Sequence, residues 1–306
     1  MEGQVVRMGG YQGSASVLNR AAYVLGDELA KRTDGGVSLT LTEDVTALGR
    51  NSLDLFDMVE GNELDLCYFS SSYLAHRVPN LAAFDLPFAI QSRDKIYALL
   101  DGELGDIIKQ DVAQRTGFTV LGFWDNGFRH FTNRLHPIRT PQDCEGLSIR
   151  TMNSVVHQNT FRALGFQPDF IDIKDFPVAI RTEVVDAQEN PLTNTVNFAV
   201  HETHRYVTMS GHFYGVSLVL GNTERIGSWT GERGEALAAS MKIATAAQRR
   251  FAAEEDERCY PILAEAGVNL ISSDEFDRAA FEKATAEVTE ATARNVDDSV
   301  MQFFRQ

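Results

Sequence analysis

Through Ser70 the chain alternates between two hydrophobic periods, and this alternation limits its fold more than any other feature. "QVVRM" reads as a strand, followed by the glycine-rich turn "GGYQGSAS" and the helical pattern "VLNRAAYVLGDELAKRT", which ends at Gly35 and Gly36. "VSLTLTED" is β-branched with period two, "RNSLDLFDMVEG" is helical again, and "LDLCYFS" reads as a buried strand. This βαβαβ order predicts a parallel sheet with helices on its faces. A second strand set follows in "GFTVLGFWDNG", "HFTN" and "GLSIR", with a helix predicted from Val155 to Leu164. "FPVAIRTEVVDAQENP" gives a short helix, a turn and a strand, and "VTMSGHFYGVSLVLG" gives two more strand-like runs.

From about Gly231 to its end the chain is rich in Ala and Glu and reads as mostly helical. The stretch "GERGEALAASMKIATAAQRRFAAEEDERCY" has no internal breaker stronger than Gly234. At the usual rise per residue it forms a helix about 45 Å long, more than one small domain needs. Ala and Gln fill too many candidate core positions for a clean coiled-coil heptad. A helix running across two domains is the expectation.

Composition removes several function classes. The formal net charge of -15 argues against nucleic acid and anionic membrane surfaces, which reward clustered Lys and Arg. No apolar run approaches the roughly 18 residues that span a bilayer. "MEGQVVRM" enters a strand almost at once, as in a cytosolic protein or one whose leader has been removed. The three cysteines, Cys67, Cys144 and Cys259, are far apart and form no CxxC pair, so small core residues are expected rather than a zinc site or a disulfide.

Few constellations carry chemistry. "GGYQGS" lies between a strand and a helix, with Glu43 and Asp44 ending the next strand, as in a dinucleotide fold. The G-x-G-x-x-G spacing fails at Tyr11, so a loop facing a cleft at the strand ends is preferred. "HETHR" has His201 and His204 at i and i+3, without a third ligand. "EEDE" reads as a solvated helix face, and no G-x-S-x-G elbow is present. No catalytic machinery and no cofactor site emerge.

Arg150 stands apart. It closes the strand "GLSIR", and the polar residues Thr151, Asn153 and Ser154 open the helix behind it. A helix N-terminus supplies free N–H groups and the positive end of a dipole. The five-donor fork of arginine matches a carboxylate bidentately. Arg129 in "NGFRHFTN" belongs to the same strand set, and Asn190 ends "QENP". Arg150 is therefore expected to clamp an anion.

These residues carry a resemblance. "NGFRHFTNRLHPIRTPQDCEGLSIRTMNS", "FRALGFQP" and "VVDAQENPL", with "EGNELD" and "FDLPF" upstream, resemble the periplasmic solute receptors of TRAP transporters, the DctP family, over essentially the whole chain. The resemblance implies a two-domain periplasmic-binding-protein-like α/β fold with crossing strands and a long domain-spanning helix. The implied domains are 1–127 plus 214–255 and 128–213 plus 256–306. It implies that Arg150 binds a ligand carboxylate, assisted by Arg129, Asn190 and Asn153. A lining is expected from Tyr11, Tyr68, Ser70, Tyr73, Phe170 and Tyr214. "SSSY" (Ser70–Tyr73) departs from the sialic-acid receptors of that family, which argues against an N-acyl sugar acid. Pro177 and the run Arg181–Glu183 also depart from the pattern and alter the pocket wall. The implied function is capture of a small organic acid anion by a monomer that hands it to a membrane permease, with a secretory leader on the precursor and no enzyme activity. Two rivals remain at this stage: a nucleotide-dependent oxidoreductase, and a ligand sensor for a membrane kinase.

Overall fold

β1 (Gln4–Gly9), β2 (Val37–Thr42) and β3 (Leu66–Ser70) run parallel with β1 in the middle, joined by helices Val17–Arg32 and Asp54–Glu60. The βαβαβ expectation thus holds in a computed structural model that describes residues 4–305. Ser16 starts the first helix by accepting a hydrogen bond from the Leu18 N–H, the capping role short hydroxyl side chains favour.

The second strand set holds the largest difference from the sequence expectation. "GFTVLGFWDNG" and "HFTN" are one strand, β4 (Phe118–Asn133). β5 (Ser148–Thr151), β6 (Gln167–Phe170) and β7 (Ala187–Asn190) follow, and the two runs after Val207 merge into β8 (Tyr206–Asn222). β9 (Asn269–Ile271) pairs with the start of β8. The sheet order is β2-β1-β3-β8-β4-β7-β5-β6. β4 and β8 are antiparallel neighbours along nearly their whole length and carry the sheet from one side of the molecule to the other. Their register slips at Val120/Gly122, Asp125/Gly127 and Arg129/Phe131. Gly127, at φ 91, sits in a region that a side chain disfavours. Bulges of this kind bend and twist a strand, and read as sequence they interrupt the period of two.

Apolar side chains gather in three clusters. The largest surrounds β1, β3 and the near half of β4 and β8. A second is built on Phe131, Ile149, Phe161, Phe213 and Phe281, and a third on Leu192, Val207, Cys259 and Leu263. The long helix runs from Gly231 to Glu265. Ala236, Leu237, Met241, Ala244 and Ala252 join the first cluster, while Cys259 and Leu263 join the third, so the helix does bridge two cores. Gln248 fixes it to β4 by accepting from the Asp125 N–H and donating to the Asp125 carbonyl, both at 2.7 Å. The helix passes the expected end at Tyr260 and includes Pro261. Proline removes one N–H bond to the carbonyl four residues earlier, here that of Glu257, an exposed residue. Within the last expected segment, 256–306, Val296, Val300 and Met301 join the first cluster, and Phe304 stacks edge-on against Phe84. The three cysteines are free and buried, and among the described residues no helix is long and apolar enough to cross a membrane.

Candidate ligand-binding cleft

Arg150 lies near the end of β5, paired in register with Gln188 of β7 and Asp169 of β6. It is 1% exposed. Nε donates to the Ile171 carbonyl at 2.9 Å, and the guanidinium lies 4.7 Å over the Phe176 ring. Among the described residues no carboxylate pairs with it, and its terminal nitrogens have no protein hydrogen bond. Burial pulls its pKa down from the usual arginine value, opposed by the influence of Tyr73 and Glu189. Behind it Ser154 caps helix Val155–Ala163 by accepting from the His157 N–H at 3.3 Å, as the polar residues after the strand suggested.

Arg129 is equally buried and differently engaged. It forms a bidentate ion pair with Glu189, with one contact from Nε and one of 2.8 Å from a terminal nitrogen. That terminal nitrogen also donates to the Glu189 carbonyl at 2.9 Å and to Asn190 Oδ1 at 3.3 Å. Asn190 in turn donates to Gln188 Oε1 at 2.6 Å and accepts from Asn194 at 3.2 Å. Burial alone would raise the Glu189 pKa, but the Arg129 charge and the adjoining histidines hold it well below the usual carboxylate range.

Facing the arginines is the loop end of the first strand set. Tyr11, tied by a bridge to Asp44, lies with its ring 4.7 Å from Phe69 and 5.5 Å from Tyr68. Tyr73 meets Phe69 edge-on at 4.9 Å. The Tyr11 and Tyr73 phenols stand within electrostatic reach of Arg129 and Arg150, yet burial raises both pKa values, so both hydroxyls remain neutral donors. The Ser70 backbone N–H reaches the Tyr11 hydroxyl, whereas the Tyr73 hydroxyl has no hydrogen bond to another described residue. Ser70 contacts Ser72 Oγ at 3.4 Å, and Ser72 donates to Asp85 at 2.7 Å. Tyr68 is turned away and donates to Asn19 at 2.8 Å. The glycine turn has a steric reason: a Cβ at Gly10 would lie 2.4 Å from the Tyr68 hydroxyl.

Phe170, Tyr214 and Asn153 are the other residues expected at the site. Phe170 is 37% exposed at the end of the outermost strand, β6. Tyr214 points to the opposite face of β8 from Phe213, which stacks on His157 at 4.0 Å. Tyr214 instead packs edge-on against Phe128 at 5.0 Å, and after burial the strongest influences raising its pKa are Asp125 and Tyr97. Asn153 is exposed and lines a groove of about 520 Å³, bounded also by His76, Asn159 and Glu287, that neither arginine lines. The side chains of His201 and His204 go to the Thr195 carbonyl and to Thr132 respectively. No cluster of metal-ligand residues occurs among the described residues.

The sequence reasoning missed a buried polar chain that crosses from one strand set to the other. Asp85 accepts from Ser154 at 3.2 Å, and His157 Nε2 lies 3.2 Å from the same carboxylate. The other His157 nitrogen is 3.7 Å from Glu189, and His212 Nε2 is 3.5 Å from Glu189. Asp85 was visible as a charge inside the apolar run "FDLPF", and a buried charge calls for a partner; Glu189 stands among polar neighbours in "AQENP" and gave no such signal. A second crossing joins Ser52 to Asp172, hydroxyl to carboxylate at 2.7 Å, and Lys174 to the Gly49 carbonyl at 3.0 Å.

Residues 8–295 match the bacterial extracellular solute-binding proteins, family 7 (DctP). The chain is 31% identical over 264 residues, 86% of this chain and 79% of the other, to the 2,3-diketo-L-gulonate-binding periplasmic protein of Escherichia coli. Among solved structures it is similar to a sugar acid binding protein of Advenella mimigardefordensis in complex with galactonate, with TM-score 0.93, 22% identity and coverage of 99% of this chain and 97% of that one. A periplasmic solute-binding protein of Sulfurospirillum deleyianum with bound succinate gives TM-score 0.91 at 25% identity, covering 99% of both chains.

Proposed function

Because the chain belongs to the bacterial extracellular solute-binding proteins, family 7, it is a solute receptor, and we propose that it captures a small organic acid anion in the periplasm and delivers it to a membrane permease. One lobe comprises 1–127 plus 214–255 and the other 128–213 plus 256–306, with Val296, Val300 and Met301 at the end of the second packing back into the core of the first. They close by bending at the bulged centre of β4 and β8, where Gly127 lies. Arg150 holds the carboxylate through its two terminal nitrogens. Tyr11, Tyr73 and Ser70 meet the ligand from the first lobe, while Arg129 and Asn190 shape the floor through Glu189. The protein acts as a monomer and performs no chemistry on its ligand.

The observation that carries this reading is the state of Arg150: a buried guanidinium with no carboxylate partner among the described residues. A buried charge without a counter-charge is costly, and an anionic ligand removes that cost. Relatives named for a keto sugar acid, and structures with galactonate or succinate bound, support the ligand class. Thermal-shift screening of an organic-acid panel tests it, since a ligand at 100 times its dissociation constant adds roughly 2.7 kcal/mol. At least one carboxylate should stabilise the protein and reduce its radius of gyration in solution scattering. Indifference to every acid, or an unchanged scattering profile at saturation, would contradict the proposal.

A further inference from the structure

The charges around the cleft can be summed from their partners. Arg129 is answered by Glu189 in a bidentate pair. His157 lies between Asp85 and Glu189, so the charge it carries when protonated is also answered. Asp172, on the stretch after β6, adds a negative charge within electrostatic reach of Arg150 and is engaged only by hydrogen-bond donors: the Ser52 hydroxyl and the Ser52 and Lys174 backbone N–H groups. Arg150 is left as the one buried cation of the cluster without an acidic partner among the described residues. The groups facing it from the first strand set are the neutral hydroxyls of Tyr11 and Tyr73. This arrangement satisfies one carboxylate at Arg150 and hydrogen-bonds a hydroxylated tail. A second carboxylate on the same ligand would lie among phenols and serines backed by Asp85, Glu189 and Asp172, where among the described residues no second buried cation without an acidic partner stands.

We propose that the receptor selects monoanionic hydroxy acids over dicarboxylates, and that Glu189 sets this preference by neutralising Arg129. The inference rests on the receptor reading above and narrows its substrate class.

The test uses ligand pairs that differ only in whether one end carries a second carboxylate: gluconate against glucarate, galactonate against galactarate, mannonate against mannarate, and 4-hydroxybutanoate against succinate. Calorimetry on the unmodified protein should favour the monoacid in every pair that binds, by about a hundredfold, as expected for a charge left unpaired in a buried site. Glu189→Gln keeps the side-chain shape and frees the Arg129 charge. Its folding is checked by circular dichroism, and it should narrow the monoacid-to-diacid ratio at least about tenfold, chiefly by improving the diacid. A diacid binding within about threefold of its monoacid, or better, would overturn the charge selectivity while leaving the receptor reading intact. A folded Glu189→Gln protein with an unchanged ratio would remove Glu189 from the account. If that variant does not fold, the ligand pairs on the unmodified protein decide the selectivity alone. Failure of every acid to bind would end the receptor reading and this inference together.

Discussion

Two guanidiniums lie two strands apart in the same sheet, each 1% exposed, with β7 between them. Arg129 near the centre of β4 is closed into a bidentate pair with Glu189 and further held by the Asn190 side chain. Arg150 near the end of β5 has a backbone carbonyl, an aromatic face and no acid. Burial is equal, so the partners make the difference. A paired buried arginine contributes to the fold, whereas an unpaired one lowers stability until something negative arrives. The same contrast separates the histidines. His157 lies against Asp85 and Glu189, and although burial works against its charge, the two acids raise its pKa. Burial pushes His130 down to about 3, and His204 and His212 down to about 4.

The largest effect expected from this comparison is on stability at the paired site. Arg129→Ala leaves Glu189 buried without its counter-charge and should cost about 3–5 kcal/mol. The double variant Arg129→Met with Glu189→Met should recover much of that loss. Urea unfolding measures both, and a single-variant loss below about 1 kcal/mol would mean the pair is not structural.

Protonation offers a second way to break the contrast. Histidines held neutral in the fold give stability that is complete above the unfolded value near 6.5 and is lost as pH falls from there toward about 4. His157, with a raised value, acts with the opposite sign: its stability is present below about 6.5 and lost as pH rises through its folded value. The three depressed histidines outnumber it, so stability should fall on acidification between pH 6.5 and 4. His204→Phe should remove on the order of 3 kcal/mol of that decline. An identical pH profile for that variant would contradict the assignment.

The crossing contact is a smaller matter. Ser52 and Asp172 meet through one charge-assisted bond at the edge of the cleft, so Ser52→Ala should weaken ligand binding by about 1.5–3 kcal/mol if that bond forms only on closure. Calorimetry at matched temperature reads this, and a variant with unchanged affinity would show that the contact persists without ligand. Smallest of all is the expected change in the ligand-free stability of Arg150→Met, which should be unaltered or slightly improved because no ion pair is lost. A loss as large as that of Arg129→Ala would show that Arg150 has a structural partner.

What the sequence made legible follows from local rules. The βαβαβ order, the polar opening of the helix at Ser154, the long helix and the arginine at the strand-to-helix switch all depend on neighbours a few residues away. Facing across the cleft was harder. Tyr214 is placed on the far side because side-chain direction along β8 must be read against a β4 whose register slips twice near it, at Asp125/Gly127 and Arg129/Phe131. Phe170 ends the edge strand of the sheet beside Thr151 of β5, a position that only the strand order reveals. The pairing of Arg129 with Glu189 and of His157 with Asp85 joins residues far apart in the chain, and no spacing rule connects them.

The central claim is that Arg150 is the carboxylate clamp, and calorimetry of Arg150→Ala with an acid that stabilises the unmodified protein tests it most directly. Removing one partner of a buried charge pair costs about 2–5 kcal/mol, so affinity should fall roughly 30- to 5,000-fold. Arg150→Lys should also bind clearly more weakly, since a point charge does not replace a planar fork. If the folded Arg150→Ala protein binds that acid within about threefold of the unmodified protein, Arg150 is not the clamp.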